Sequence, residues 1–145
     1  MANTDSDVYE LTRALDLVVR RINGRMFRVM PTIDTHKVGP FGGMVMLAIA
    51  DLQPCSIQRL VTEMGRDNSQ MTRLLRSLED KGLIRRDMDP HDGRVNLISL
   101  SRSGQESVDV MRNVMTDAVG RIADRISAAD LRAMIRILRQ LSGSH

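Results

Sequence analysis

The chain has one cysteine, Cys55, in 145 residues, so no internal disulfide can form and a cytoplasmic setting is the expectation. No apolar run approaches the roughly 20 residues that a membrane span needs, and the acidic, polar start MANTDSD does not read as a signal peptide. No membrane partner is therefore expected. Aromatic residues are nearly missing, with two Phe, one Tyr and no Trp against eleven Met. Methionine then does the core filling that Phe and Leu do elsewhere, and a methionine-lined cavity that adapts to apolar ligands is the alternative. His36, His91 and His145 are scattered, with no second ligand at metal spacing, so no metal or other cofactor is expected. No glycine-rich phosphate loop, Ser-His-Asp set or paired carboxylates occur, so no catalytic residues are expected and the chain reads as a non-enzyme.

What is present is an ordinary globular balance, 42 % hydrophobic and 27 % charged residues, in a length suited to one domain over residues 1–145. The net charge is only +3, yet 19 of the 21 basic residues are arginine. Arginine offers a planar fork of donors that suits phosphates and guanine edges as well as plain salt bridges, so charge permits nucleic acid without requiring it.

Leu11, Leu15, Val18, Ile22 and Met26 form an apolar stripe at helical spacing, predicting a helix from near Asp7 to Met30 that stops at Pro31. PTIDTHKVGPFGG then reads as a loop, and MVMLAIADL as a buried helix ending before Pro54. Two short segments follow on one template: Ile57, Leu60, Val61, Met64, and then Met71, Leu74, Leu75, Leu78. Each has one face to bury. Gly65 sits where a left-handed C-cap belongs, Asp67 or Asn68 can cap the second helix, and Gly82 closes it. Two amphipathic helices joined by a glycine-containing turn predict a helix-turn-helix. RRDMDPHDGRVNLISL predicts a two-stranded hairpin turning at Asp92-Gly93. Two more apolar-striped helices, about 101–125 and 128–142 with Ser127 as a cap, complete the chain.

Plotted at 100° per residue, the second helix of the pair has Met71, Leu74, Leu75 and Leu78 on one side. Ser69, Arg73 and Arg76 lie opposite, with Thr72 flanking them. Such a helix suits the major groove, with Asn68, Ser69, Gln70, Thr72, Arg73 and Arg76 as candidate DNA contacts, although a solvated face would look the same. The hairpin directly after it makes the unit a winged helix-turn-helix. Its tip would place Arg94, with His91 nearby, against a minor groove or phosphates, and Asp92 and Gly93 would support the turn.

DPHDGRVNLISLSRSG resembles the wing signature of the MarR family of bacterial transcription regulators, in which Asp-x-Arg is followed by a strand and Leu-Thr-x-x-Gly. Asp92, Arg94, Leu100, Ser101 and Gly104 occupy those places. MTRLLRSLEDKGLIRR is similar to that family's recognition helix and wing start. Gly93 stands where arginine is frequent, which removes a charge from the tip, and Ser101 stands for threonine and keeps the capping hydroxyl. The resemblance implies a mainly α fold with a small β wing: a winged helix-turn-helix, residues 38–101, carried by dimerisation helices, residues 1–35 and 102–145. It also implies a homodimer on a pseudo-palindromic double-stranded DNA operator, usually a repressor, released by a small and often phenolic ligand or by oxidation. The peroxide-sensing branch carries its cysteine near the start of the first helix, where this chain has none, so Cys55 reads as an inert buried thiol.

The terminal stripes independently favour a homodimer, because one small chain would struggle to cover them. Arg20, His36 and Met44 are the candidate effector-binding residues, with Arg21 and Met46 as neighbours of the same kind. Residues 56–100 carry eight basic against seven acidic side chains, so a winged-helix module that binds protein rather than specific DNA stays open.

Overall fold

The computed structural model describes residues 4–143, which leaves His145 outside the described residues. Six helices and three short strands follow in the order α1 (Asp5–Ile33), α2 (Gly39–Leu52), β1 (Cys55–Ser56), α3 (Ile57–Met64), α4 (Asn68–Asp80), β2 (Ile84–Met88), β3 (Asn96–Leu100), α5 (Arg102–Ala123) and α6 (Ala128–Leu141). No helix among the described residues is long and apolar enough to cross a membrane. By packing the chain divides into two units, one built from the part up to Met26 and the part from Val114 onward, the other from Phe27–Asn113.

α1 does not stop at Pro31. The helix runs through it to Ile33, and the Asp34 amide still closes the next turn on the Met30 carbonyl at 2.8 Å. A proline this close to the end removes one backbone bond and leaves little helix beyond it to disrupt. The loop that follows is correspondingly shorter than the sequence suggests. Asp34 accepts from the Val38 and Gly39 amides at 2.8 and 3.0 Å, and α2 starts there with Pro40 in its first turn. A carboxylate on the first free amides and a proline that needs no amide partner together start a helix five residues before its apolar block.

α3 and α4 begin and end on local signals. Ser56 accepts from the Arg59 amide, Gly65 adopts φ 60° after α3, and Asp67 accepts from the Gln70 amide at 2.8 Å. The wing differs from a simple hairpin in two ways. β1 joins it, giving an antiparallel sheet of order β1-β3-β2 with Cys55 opposite Ile98 and Ile84 opposite Leu100. The turn is also not a two-residue one: residues 89–95 form the tip, closed by Asp89 N–H to Val95 O at 2.9 Å and Val95 N–H to Asp92 O at 3.0 Å.

The core of the Phe27–Asn113 unit joins Val45, Met46 and Ile49 of α2 to Leu60, Met71, Leu75, Leu78, Leu83, Ile98 and Val108, all fully buried. Met46 and Met71 thus fill core positions, as Phe or Leu would elsewhere. The other unit is opposite in character. Among its described residues Ala118 alone is buried, while Leu11, Leu15 and Val18 of α1 and Met134, Ile135, Leu138 and Leu141 of α6 stand exposed.

Candidate nucleic-acid interface

α4 buries Met71, Leu75 and Leu78 and turns Asn68, Ser69, Gln70, Arg73 and Arg76 to solvent, with Thr72 half-buried beside them. None of these six polar side chains makes a hydrogen bond or ion pair with another described residue. Their donors and acceptors are free for an external partner. Arg59 on α3 and Arg66 in the turn between α3 and α4 are likewise exposed and free of ion pairs, and sequence reasoning that plotted only α4 passed over both.

The wing arginines are handled differently. Arg86 of β2 pairs with Glu79 of α4 at 2.9 Å, tying wing to helix, and Arg85 lies 3.5 Å from Asp87. At the tip Asp92 accepts from both the Arg94 amide and its Nε, at 3.1 and 3.2 Å, so one carboxylate shapes the turn and braces the guanidinium. Arg94 is nonetheless 92 % exposed, its terminal nitrogens facing outward. His91 is exposed nearby, its amide held by Asp89. Gly93 needs no left-handed backbone here, because the turn closes around it from Asp92 to Val95.

The residues behind the wing explain its sequence signature. Ser101 Oγ donates to the Gly82 carbonyl and accepts from the Gly104 amide at 3.1 Å, capping α5 while gripping the turn after α4. A Cβ on Gly104 would run into the Leu83 carbonyl oxygen, so only glycine lets α5 start this close to the wing base.

Of the residues considered for an effector, His36 and Met46 line a cavity. That cavity has a volume of about 10 Å³ and is walled by Met30, Ile33, Asp34, Val38, Met46 and Met111. Met44 is 55 % exposed on α2 and does not line it, and Arg20 is paired with Asp16 at 2.8 Å on α1. Met30 and Met111, which line it beside Met46, were hidden in the sequence, because helical spacing cannot say which apolar side chain borders a void. Lys81, at the end of α4, donates to the His36 and Lys37 carbonyls at 2.7 and 2.9 Å, so the loop at this cavity is tied to the end of α4. Cys55 is buried, with its Sγ 3.9 Å from the Ile98 carbonyl; burial raises its pKa, and nearby Arg59 only partly opposes this. No group of His, Cys, Asp and Glu among the described residues can hold a metal ion.

Comparison with known proteins agrees with this geometry. The family model described as "MarR family" matches residues 43–95, the stretch from α2 to the wing tip. An HTH-type transcriptional regulator of Bacillus subtilis, YdgJ, is 28 % identical over 75 residues, 52 % of this chain and 46 % of that protein, so the matched part spans about half of the relative. A MarR family protein from Bacillus stearothermophilus has the same fold, with a TM-score of 0.82 at 19 % identity over 98 % of this chain and 97 % of the other. CouR from Rhodococcus jostii, whose structure contains p-coumaroyl-CoA, gives 0.66 at 24 % identity over 94 % and 92 %. With a helix pair capped at Ser56, Gly65 and Asp67 and a wing anchored by Ser101 and Gly104, residues 43–95 match the MarR family model, and the chain has the winged helix-turn-helix fold of solved MarR family proteins.

Proposed function

We propose that the protein is a sequence-specific double-stranded DNA-binding transcription regulator of the cytoplasm, acting as a homodimer on a pseudo-palindromic operator. The observation that carries this reading is the exposed face of α4, six polar side chains without partners, followed by a wing that ends in an exposed Arg94. Arg73 and Arg76 suit guanine edges or phosphates in the major groove, and Arg94 suits the neighbouring minor groove. Two recognition helices must stand about 34–36 Å apart to enter successive major grooves, which needs a second copy of the chain. The half of the molecule whose only buried described residue is Ala118 supports that dimer, since its apolar faces on α1 and α6 are otherwise uncovered.

Repression relieved by a small aromatic ligand is the regulatory part of the proposal. The methionine-walled cavity beside His36 holds about 10 Å³, room for a single water, so a ligand such as salicylate must open it. Opening moves the loop between α1 and α2, which Lys81 ties to the end of α4. The fold likeness to CouR, recorded with p-coumaroyl-CoA, supports an aromatic guest. A coupling of about 1–3 kcal/mol lowers operator affinity roughly 5- to 150-fold, and operator must weaken the ligand by the same factor.

A second reading, a winged-helix module for a protein partner, is favoured by the wing itself, where Asp87, Asp92 and Glu79 pair with Arg85, Arg94 and Arg86. The test is to select and sequence genomic fragments bound by the purified protein, then compare variants on the recovered duplex. Arg73→Ala should lose about 1–3 kcal/mol of discrimination between operator and mismatched sites. Arg94→Ala should weaken all sequences alike and flatten the salt dependence. Wild-type-like binding by both variants to specific and random duplexes refutes the DNA reading in favour of the protein partner. Salicylate affinity unaffected by operator refutes coupling for that compound.

A further inference from the structure

We infer that Arg66 is a phosphate-binding residue held ready by Phe41, an inference that rests on reading α4 as the DNA-recognition helix. Arg66 lies in the turn of the helix pair, between Gly65, which ends α3 with φ 60°, and Asp67, which caps α4. Both neighbours are conformationally committed, so the backbone of Arg66 has little freedom. Its guanidinium carbon sits 4.9 Å from the centroid of the Phe41 ring. Phe41 itself is half-buried in the first turn of α2, packed against the core, and is one of only three aromatic residues in the chain.

A guanidinium stacked on a ring uses its face and leaves its N–H edges unspent. Arg66 makes no hydrogen bond or ion pair with any described residue, in contrast to Arg94, whose Nε is taken by Asp92. The stack limits the rotamers of a long exposed side chain before any ligand arrives, so less freedom is lost when an oxyanion binds. The free fork of donors matches the two oxygens of a phosphodiester. On the turn that leads into α4, such a contact would grip the backbone of the strand whose bases α4 reads, fixing register without reading sequence.

The experiment uses fluorescence anisotropy across a salt series, on a duplex recovered by genomic selection and on a scrambled duplex. Arg66→Gln should weaken both on the order of tenfold and make the log–log salt slope shallower by about 0.9 per protomer. Phe41→Leu keeps the charge and most of the packing volume, so its slope should stay at the wild-type value while affinity falls a few-fold. Phe41→Tyr should bind as wild type. The double variant should bind no more weakly than Arg66→Gln alone, because Phe41 acts through Arg66; a merely structural Phe41 would give additive losses. A wild-type slope in Arg66→Gln, with the wild-type protein itself steeply salt-dependent, overturns this inference alone. No salt-dependent duplex binding by the wild type overturns the DNA reading and the inference with it. Melting curves on each variant ensure that only folded protein enters the comparison.

Discussion

Gly104→Ala is expected to be among the most damaging single-atom additions in the chain. Gly104 is buried in the first turn of α5, and the added methyl would overlap the Leu83 carbonyl oxygen and sit 3.3 Å from Leu100 Cδ2. A backbone oxygen cannot rotate aside as a side chain can, so α5 or the strand leading into β2 must move. That carbonyl accepts from the Ser101 amide at 2.9 Å, and Ser101 Oγ links Gly82 to the Gly104 amide, so movement weakens three bonds together. At about 1 kcal/mol each, with about 1–3 kcal/mol for overpacking, the gross loss is roughly 4–6 kcal/mol. The better helix propensity of alanine returns about 1 kcal/mol, leaving a net loss of about 3–5 kcal/mol. Gly120→Ala on the same helix is the control: its methyl meets nothing within 4 Å, so it should leave stability unchanged or raise it by up to about 1 kcal/mol. Urea unfolding followed by circular dichroism, at one fixed protein concentration, measures both. A Gly104→Ala protein within about 0.5 kcal/mol of wild type would refute the steric argument.

Three further outcomes follow from particular side chains. Leu138→Glu puts a charge on the exposed apolar face of α6; sedimentation at low micromolar concentration should show a dimer for the wild type and the mass of one chain or an unfolded protein for the variant. The hydrogen bond from Arg25, at 2.6 Å, holds the Asp117 carboxyl below the ordinary carboxylate range, so its contribution to stability is present above about pH 4 and is lost as pH falls through its lowered pKa. Asp117→Asn should therefore shrink the acid-induced loss of stability measured by melting between pH 6 and about pH 3, and an unchanged acid limb would contradict the pairing. Burial raises the Cys55 pKa, so a disulfide reagent at pH 8 should label the folded protein far more slowly than the urea-unfolded one; equal rates would show an open thiol.

Where a feature depends on neighbours within about one helical turn, the sequence determined it. The spacing of Met71, Leu75 and Leu78 dictates which face of α4 is buried, and so which arginines are offered outward. Asp67 and Ser127 accept from amides three residues away and Gly65 ends α3 in the left-handed conformation, so each sits at the helix end its chemistry specifies. Asp92 and Arg94 are two residues apart, and their bond follows from that spacing. Features made by residues distant in the chain were decided only by the tertiary structure. β1 is two residues long and carries no periodicity of its own; it exists because β3 offers it an edge. The helix continues through Pro31 and restarts at Gly39 because packing and the Asp34 carboxylate outweigh local propensity there. Lys81 meets the loop carbonyls from 44 and 45 residues away, and Arg66 meets Phe41 across the gap between α2 and the turn. Neither meeting leaves a spacing pattern, since a contact between remote segments depends on where the whole backbone places two side chains, and no local rule encodes that.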